Sequence, residues 1–413
     1  MKQQTNKFRK ALALLCCAVI LPACTNEKKS FITGNVDFAV GQTKLMLQAT
    51  GDPTGNNYPR TMKNNGRLST TNMYDWTPGF FPGSLWFLYE LTNDTLWRHE
   101  AEKWTHSLEP LKTFTGHHDL GFMMYCSYGN ALRLAPKPGY ADIIIRSAES
   151  LTTRFDERTQ AIKSWNGGKN WDGVIWYYPV IVDNMMNLEM LFAATRLSGD
   201  RRFSDIAVTH ANTTMKNHIR EDYSTYHVID FDTITGAAAN KATAQGFSDN
   251  STWARGQAWM IYGFTMMYRE TLDTTYLDTA VGLADFYLAH LPEDLIPVWD
   301  FNAGEEGYVP GKNSNAVRIQ EKPRDTSAAA IVCSALFELQ NYAPDKSYHD
   351  YAVKMLHSLA SPNYRAQLGE NANFLIKHCV GSIPHNAEID KPLVYADYYF
   401  LEALTRYKNS SLK

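Results

Sequence analysis

Residues 183–218 read DNMMNLEMLFAATRLSGDRRFSDIAVTHANTTMKNH, and this stretch decides the fold. From Asn184 to Leu197 nine of the fourteen positions are apolar and they fall on every side of a helix, so a helix here is buried all round. Ser198-Gly199-Asp200 breaks it, and Phe203 to His218 resumes with polar and apolar residues at helical spacing, a helix with one wet face. An all-buried helix, a short turn and a striped helix form a hairpin with an inner and an outer member.

The same unit recurs outward from this copy. Ser84 to Leu91 pairs with Leu96 to Leu108, and Leu120 to Leu134 with Tyr140 to Arg154. Further copies open at Thr252 and Asp325, and a last apolar helix runs from Tyr395 to Tyr407. The openings at Asp119, Asp183, Thr252 and Asp325 lie 64, 69 and 73 residues apart, about twice a tetratricopeptide period, which disfavours such an array. About six hairpins in one chain predict an all-α fold, an (α/α)6 barrel. Little sequence alternates as strands do; Tyr226 to Asp232, before a Thr-Ile-Thr-Gly turn, is the exception. If the inner helices run parallel, their N-termini share one face, with free N–H groups that suit an anion.

Composition agrees with a large folded chain: 413 residues, 44% hydrophobic and 20% charged. The first 23 residues stand apart. A basic head (Lys2, Lys7, Arg9, Lys10), an apolar run from Ala11 to Leu21 and Leu21-Pro22-Ala23-Cys24 form a signal peptide ending in a bacterial lipobox. Cleavage before Cys24 predicts an exported lipoprotein of the periplasm or outer membrane, with residues 24–34 as a tether and 35–413 as one catalytic domain. The lipid is then the sole membrane contact. Cleavage removes four of the 40 basic residues and none of the 43 acidic ones, moving the net charge from −3 to about −7. Nucleic acid is excluded as a partner on that ground. Cys126, Cys333 and Cys379 lie in apolar contexts and are expected as buried thiols.

Two loop-to-helix junctions carry acids: His117-His118-Asp119-Leu120 and Val182-Asp183-Asn184. Either Asp is equally a helix cap, and capping lowers an Asp pKa, whereas a general acid needs it raised. Two carboxyls buried together would reverse that. Trp76, Trp165, Trp171 and Trp176 sit in loops, where indoles stack on sugar rings as readily as they pack loops together. Arg255 opens an inner helix and can meet a substrate carboxylate or a neighbouring Asp. His-Glu-x-x-His, Cys-x-x-Cys, Gly-x-Ser-x-Gly and P-loop patterns are absent, so no metal or cofactor is expected.

Taken in order, Trp76 to Gly83, His118 to Phe122, Pro179 to Asn187, Gly246 to Trp259, Arg324 to Ala328 and Tyr395 to Tyr399 resemble the unsaturated glucuronyl hydrolases, glycoside hydrolase family 88. The resemblance implies an (α/α)6 barrel and an exo-acting enzyme that hydrates the C4=C5 bond of a terminal unsaturated uronic acid. It implies Asp183 as acid/base and Asp119 as the second carboxylate. It also implies Trp76, His118, Trp165, His227, Gln245, Arg255 and Trp259 as substrate-binding residues. Two departures stand out: an insertion at Gly167-Gly168-Lys169-Asn170 and a long loop from Asn302 to Lys322. Competing expectations are an unsaturated rhamnogalacturonyl hydrolase acting on pectin fragments and a glycan-binding lipoprotein without catalysis.

Overall fold

Inner helices of a toroid must be apolar on every side, because other helices cover one side and the axis the other. In the computed structural model, which describes residues 4–410 and side chains from Asn26 onward, all 14 residues of α10 (Thr326–Leu339) are buried. The other inner members are α2 (Phe80–Thr92), α4 (Asn130–Leu134) with the π-wound turns Gly121–Gly129 before it, and α6 (Leu188–Ser198) with the 3-10 turns Val182–Asn187. α8 (Ala254–Thr271) and α12 (Val394–Asn409) complete the six. Outer partners are α3 (Thr95–His106), α5 (Tyr140–Thr152), α7 (Arg202–His218), α9 (Thr274–Ala289) and α11 (Tyr348–Leu359). α2 packs on α12 and on the π-wound turns, and α10 on both α8 and α12, so the ring closes. The (α/α)6 barrel expected from the repeat is present.

The sixth outer helix is α1 (Gln4–Thr50). Val36, Ala39 and Met46 bury one stripe of it. Lys28 Nζ donates to Ser410 O at 2.6 Å, the Phe31 ring stacks on His357 with centroids 4.0 Å apart, and Gln42 Nε2 donates to Phe374 O at 3.1 Å. Residues 24–34, expected as a tether, are helical, and Lys28 and Phe31 among them contact the barrel. The basic head, apolar run and cleavage site at Cys24 lie outside the described side chains. Cys126, Cys333 and Cys379 are buried and free, as expected.

The strand at Val228–Phe231 forms as predicted but has two neighbours, Pro179–Ile181 and Ala238–Ala242, both antiparallel. Further short hairpins, including Gly168–Lys169 with Ile175–Trp176 and Cys379–Ser382 with Ala387–Lys391, rise from the same end of the barrel. Burial of loop backbone at that end forces its N–H and C=O groups into such ladders.

Candidate active site

The two acidic junctions meet through a glycine. A Cβ on Gly121 would lie 2.4 Å from Asn187 Cα, so only glycine lets the chain after Asp119 touch the chain after Asp183. Asn187 Oδ1 then accepts the Phe122 N–H at 3.2 Å and locks the approach. The strand register does the same for His227: Ile181 pairs with Val228, and Val182 N donates to His227 O at 3.2 Å. Residues separated by more than forty positions thus come to one place.

Neither Asp is a cap. The turns that carry Asp183 are N-capped by Ile181, and Asp183 Oδ2 is buried with no hydrogen-bond partner among the described residues. Burial, reinforced by the nearby charge of Asp119 and opposed in part by Arg255, pushes its pKa up to about 8. Asp119 goes the other way. Burial works against its ionisation, but His118 and the hydrogen-bonded His117 outweigh it and hold the carboxyl below its ordinary value. His117 Nδ1 lies 3.0 Å from Asp119 Oδ2, and His118 Nε2 lies 3.3 Å from Oδ1. At neutral pH the pair therefore shares one proton, on Asp183.

Burial lowers the pKa of the His118 imidazole to about 4, and burial with help from Arg255 lowers that of His227 well below its ordinary value. His227 Nδ1 accepts from Ala244 N at 3.2 Å and Gln245 N at 3.3 Å, which leaves the proton on Nε2. That Nε2 has no partner among the described residues. The site holds a protonated acid, an ionised carboxylate and a free neutral donor.

A cavity of about 790 Å³ opens at this end of the barrel, within the range of small-molecule sites. Trp76, Trp165, Gln245 and Arg255 line it, with Trp171 and Trp176. Asp119 and Asp183 do not line it directly: they are recessed, each 8% exposed. Trp76 is braced by Tyr395 at 4.9 Å and Phe122 at 5.5 Å, while Trp165 stacks with Trp176 at 6.3 Å.

Two expected binders do other work. Arg255 gives Nη1 to Asp325 Oδ2 at 2.9 Å and Nη2 to Gly381 O at 2.7 Å, with Val380 O as a further acceptor, so its fork is not free for a bidentate clasp. It acts through charge and by fixing the 380–381 strand. Asp325 meanwhile caps α10 at Ser327 N. Trp259 is only 1% exposed and packs on Phe122 and Tyr399 behind the wall; its inward helix face makes it core. The sequence reading missed His117, the closer of the two imidazoles that hold Asp119. Its position two residues before an acid was the available signal.

A helical toroid that sets one protonated and one ionised carboxyl behind an aromatic cavity defines an acid/base hydrolase of sugars. The Glycosyl Hydrolase Family 88 model matches residues 53–410, and the chain belongs to that family. It is 48% identical over 366 residues to an unsaturated glucuronyl hydrolase of Formosa agariphila, covering 87% of both chains. To an unsaturated chondroitin disaccharide hydrolase of Streptococcus agalactiae it is 31% identical, covering 90% of this chain and 91% of the relative. The solved structure of an unsaturated glucuronyl hydrolase specific for heparin superposes with a TM-score of 0.83 at 42% identity, over 92% of this chain and 97% of the other. The protein is a glycoside hydrolase.

Proposed function

We propose that this protein removes the 4,5-unsaturated uronic acid from the non-reducing end of lyase-generated glycosaminoglycan oligosaccharides. The observation that carries this is Asp183: buried, unpartnered at Oδ2, and protonated at neutral pH beside an ionised Asp119. A C4=C5 enol ether needs such a donor. Asp183 transfers its proton to C4, positive charge develops at C5 and the ring oxygen, and the Asp119 carboxylate stabilises it. Water then attacks C5 and returns its proton to Asp183, which restores the acid. The hemiketal opens, the C5–O bond of the ring breaks, and the aglycone leaves from C1. His227 Nε2–H and Gln245 orient the water and the uronate, and Trp76 and Trp165 stack on the rings.

The test uses the ultraviolet absorbance of the conjugated double bond. Purified protein mixed with unsaturated chondroitin or heparin disaccharides is expected to erase it. Unchanged absorbance with measurable binding would make the protein a glycan binder, and turnover confined to unsaturated pectin fragments would make it a rhamnogalacturonyl hydrolase.

We further propose that the chain is an exported lipoprotein, cleaved before Cys24 and lipidated there, on the support of the Leu21-Pro22-Ala23-Cys24 motif and its basic, apolar lead. Such cleavage leaves Lys28 and Phe31, which hold α1 to the barrel, in the mature chain. A mature N-terminal peptide that begins at a diacylated Cys24 in mass spectrometry is expected. A peptide that begins elsewhere overturns this.

A further inference from the structure

The cavity wall carries several charges, and most are neutralised within the protein. Arg60 meets Glu388 at 2.6 Å and Asp75 at 2.5 Å, and Arg255 meets Asp325 at 2.9 Å. Lys169, also in the wall, makes no ion pair or side-chain hydrogen bond among the described residues. It belongs to the hairpin of Gly168–Lys169 with Ile175–Trp176. Trp176, which pairs with Gly168 in the same hairpin while Lys169 pairs with Ile175, lines the cavity too, and its Nε1–H is buried without an acceptor among the described residues.

The hairpin is held firmly. Trp171 Nε1 donates to Ala244 O at 3.0 Å, and Asn170 Nδ2 to Asp249 Oδ2 at 3.1 Å. On the other side the long loop after Asn302 reaches it, with Asn313 N donating to Trp171 O at 3.0 Å and Lys312 N to Asp172 Oδ1 at 3.0 Å. A Cβ on Gly311 would fall 2.5 Å from Trp171 Cβ, so the hairpin and the loop interlock closely. They form a single wall, and of the lysines and arginines that line the cavity Lys169 is the one without an ion pair among the described residues. The chain as a whole is negative, so an anionic group entering here is met by a local cation and not by the general field.

We propose that Lys169 is a specificity-determining residue, which binds a negatively charged substituent on the sugars that follow the unsaturated uronate. This rests on the function proposed above. The substituent is a sulfate ester on the second sugar or the carboxylate of a third. Both chemistries offer the oxygens that an ammonium group pairs with.

The experiment compares the full chain with Lys169→Ala and Lys169→Arg on three substrates. These are an unsulfated unsaturated disaccharide, the same disaccharide sulfated on its second sugar, and an unsulfated unsaturated tetrasaccharide. In Lys169→Ala the ratio of kcat/KM for sulfated over unsulfated disaccharide is expected to fall about three- to ten-fold at low salt. The change should lie in KM, and Lys169→Arg should restore the ratio. A fall confined to the tetrasaccharide assigns the carboxylate instead. Unaltered ratios for both overturn the proposal while unsulfated turnover still upholds the reading beneath it. No turnover of any substrate by the unsubstituted protein overturns that reading.

Discussion

Asp183→Asn is the sharpest perturbation, because it should weaken the chemistry and strengthen the fold together. The carboxyl has an ordinary value of 3.8 and stands near 8 in the folded chain, chiefly through burial. Between those values the folded state holds a proton that the unfolded state has released, so stability falls as pH rises, by about 1.4 kcal/mol for each pH step. The penalty is absent below about pH 4 and complete above about pH 8. Asn mimics the protonated acid in shape and charge and avoids the penalty, so the variant should gain at most about 4 kcal/mol at pH 7 and about 1.5 kcal/mol at pH 5. With an unfolding entropy of about 2.1 cal/mol/K per residue, the gain at pH 7 is at most about 5 °C in Tm. Activity, followed as loss of the double-bond absorbance, should drop at least about 10³-fold, since amide cannot deliver the proton to C4. Thermal melts of both proteins from pH 4 to 8 complete the test. A Tm difference that stays level across that range, or activity within tenfold of the parent, would refute the assignment of the shared proton to Asp183.

Other outcomes follow from the same geometry. kcat/KM should fall as pH rises through about 8, as Asp183 loses its proton, and hold toward pH 5 because Asp119 ionises below its ordinary range; a pH–rate profile checks both limbs. His117→Ala removes the partner 3.0 Å from Asp119, so the acidic limb should move to higher pH, with about a tenfold loss at neutral pH. Gly121→Ala drives a methyl into the backbone of Asn187 and parts the two acidic loops. It should destabilise the fold by about 1–3 kcal/mol in denaturant titration and reduce kcat more than KM changes.

Much of this was legible along the chain. Inner helices buried on every side and outer helices with one wet face leave different apolar periods, and that contrast, recurring from Ser84 to Tyr407, specified the toroid without any long-range information. The sixth outer helix escaped because its packing stripe, Val36, Ala39 and Met46, follows directly on polar residues that read as a tether. Asp119 and Asp183 were visible as paired acids at helix starts, though capping described each one equally well.

Local sequence therefore determined which residues are helical, which helices face inward and which acids stand at their starts, since hydrophobic period and turn chemistry act over a few residues. Only the tertiary structure decided their roles. A pKa depends on what lies within several ångströms, so the proton on Asp183, the charge on Asp119 and the fate of Arg255, spent on Asp325 and a carbonyl, required the chain to be folded. Trp259 shows the same division: an aromatic at a site-like position along the chain became core because its neighbours Phe122 and Tyr399 closed over it.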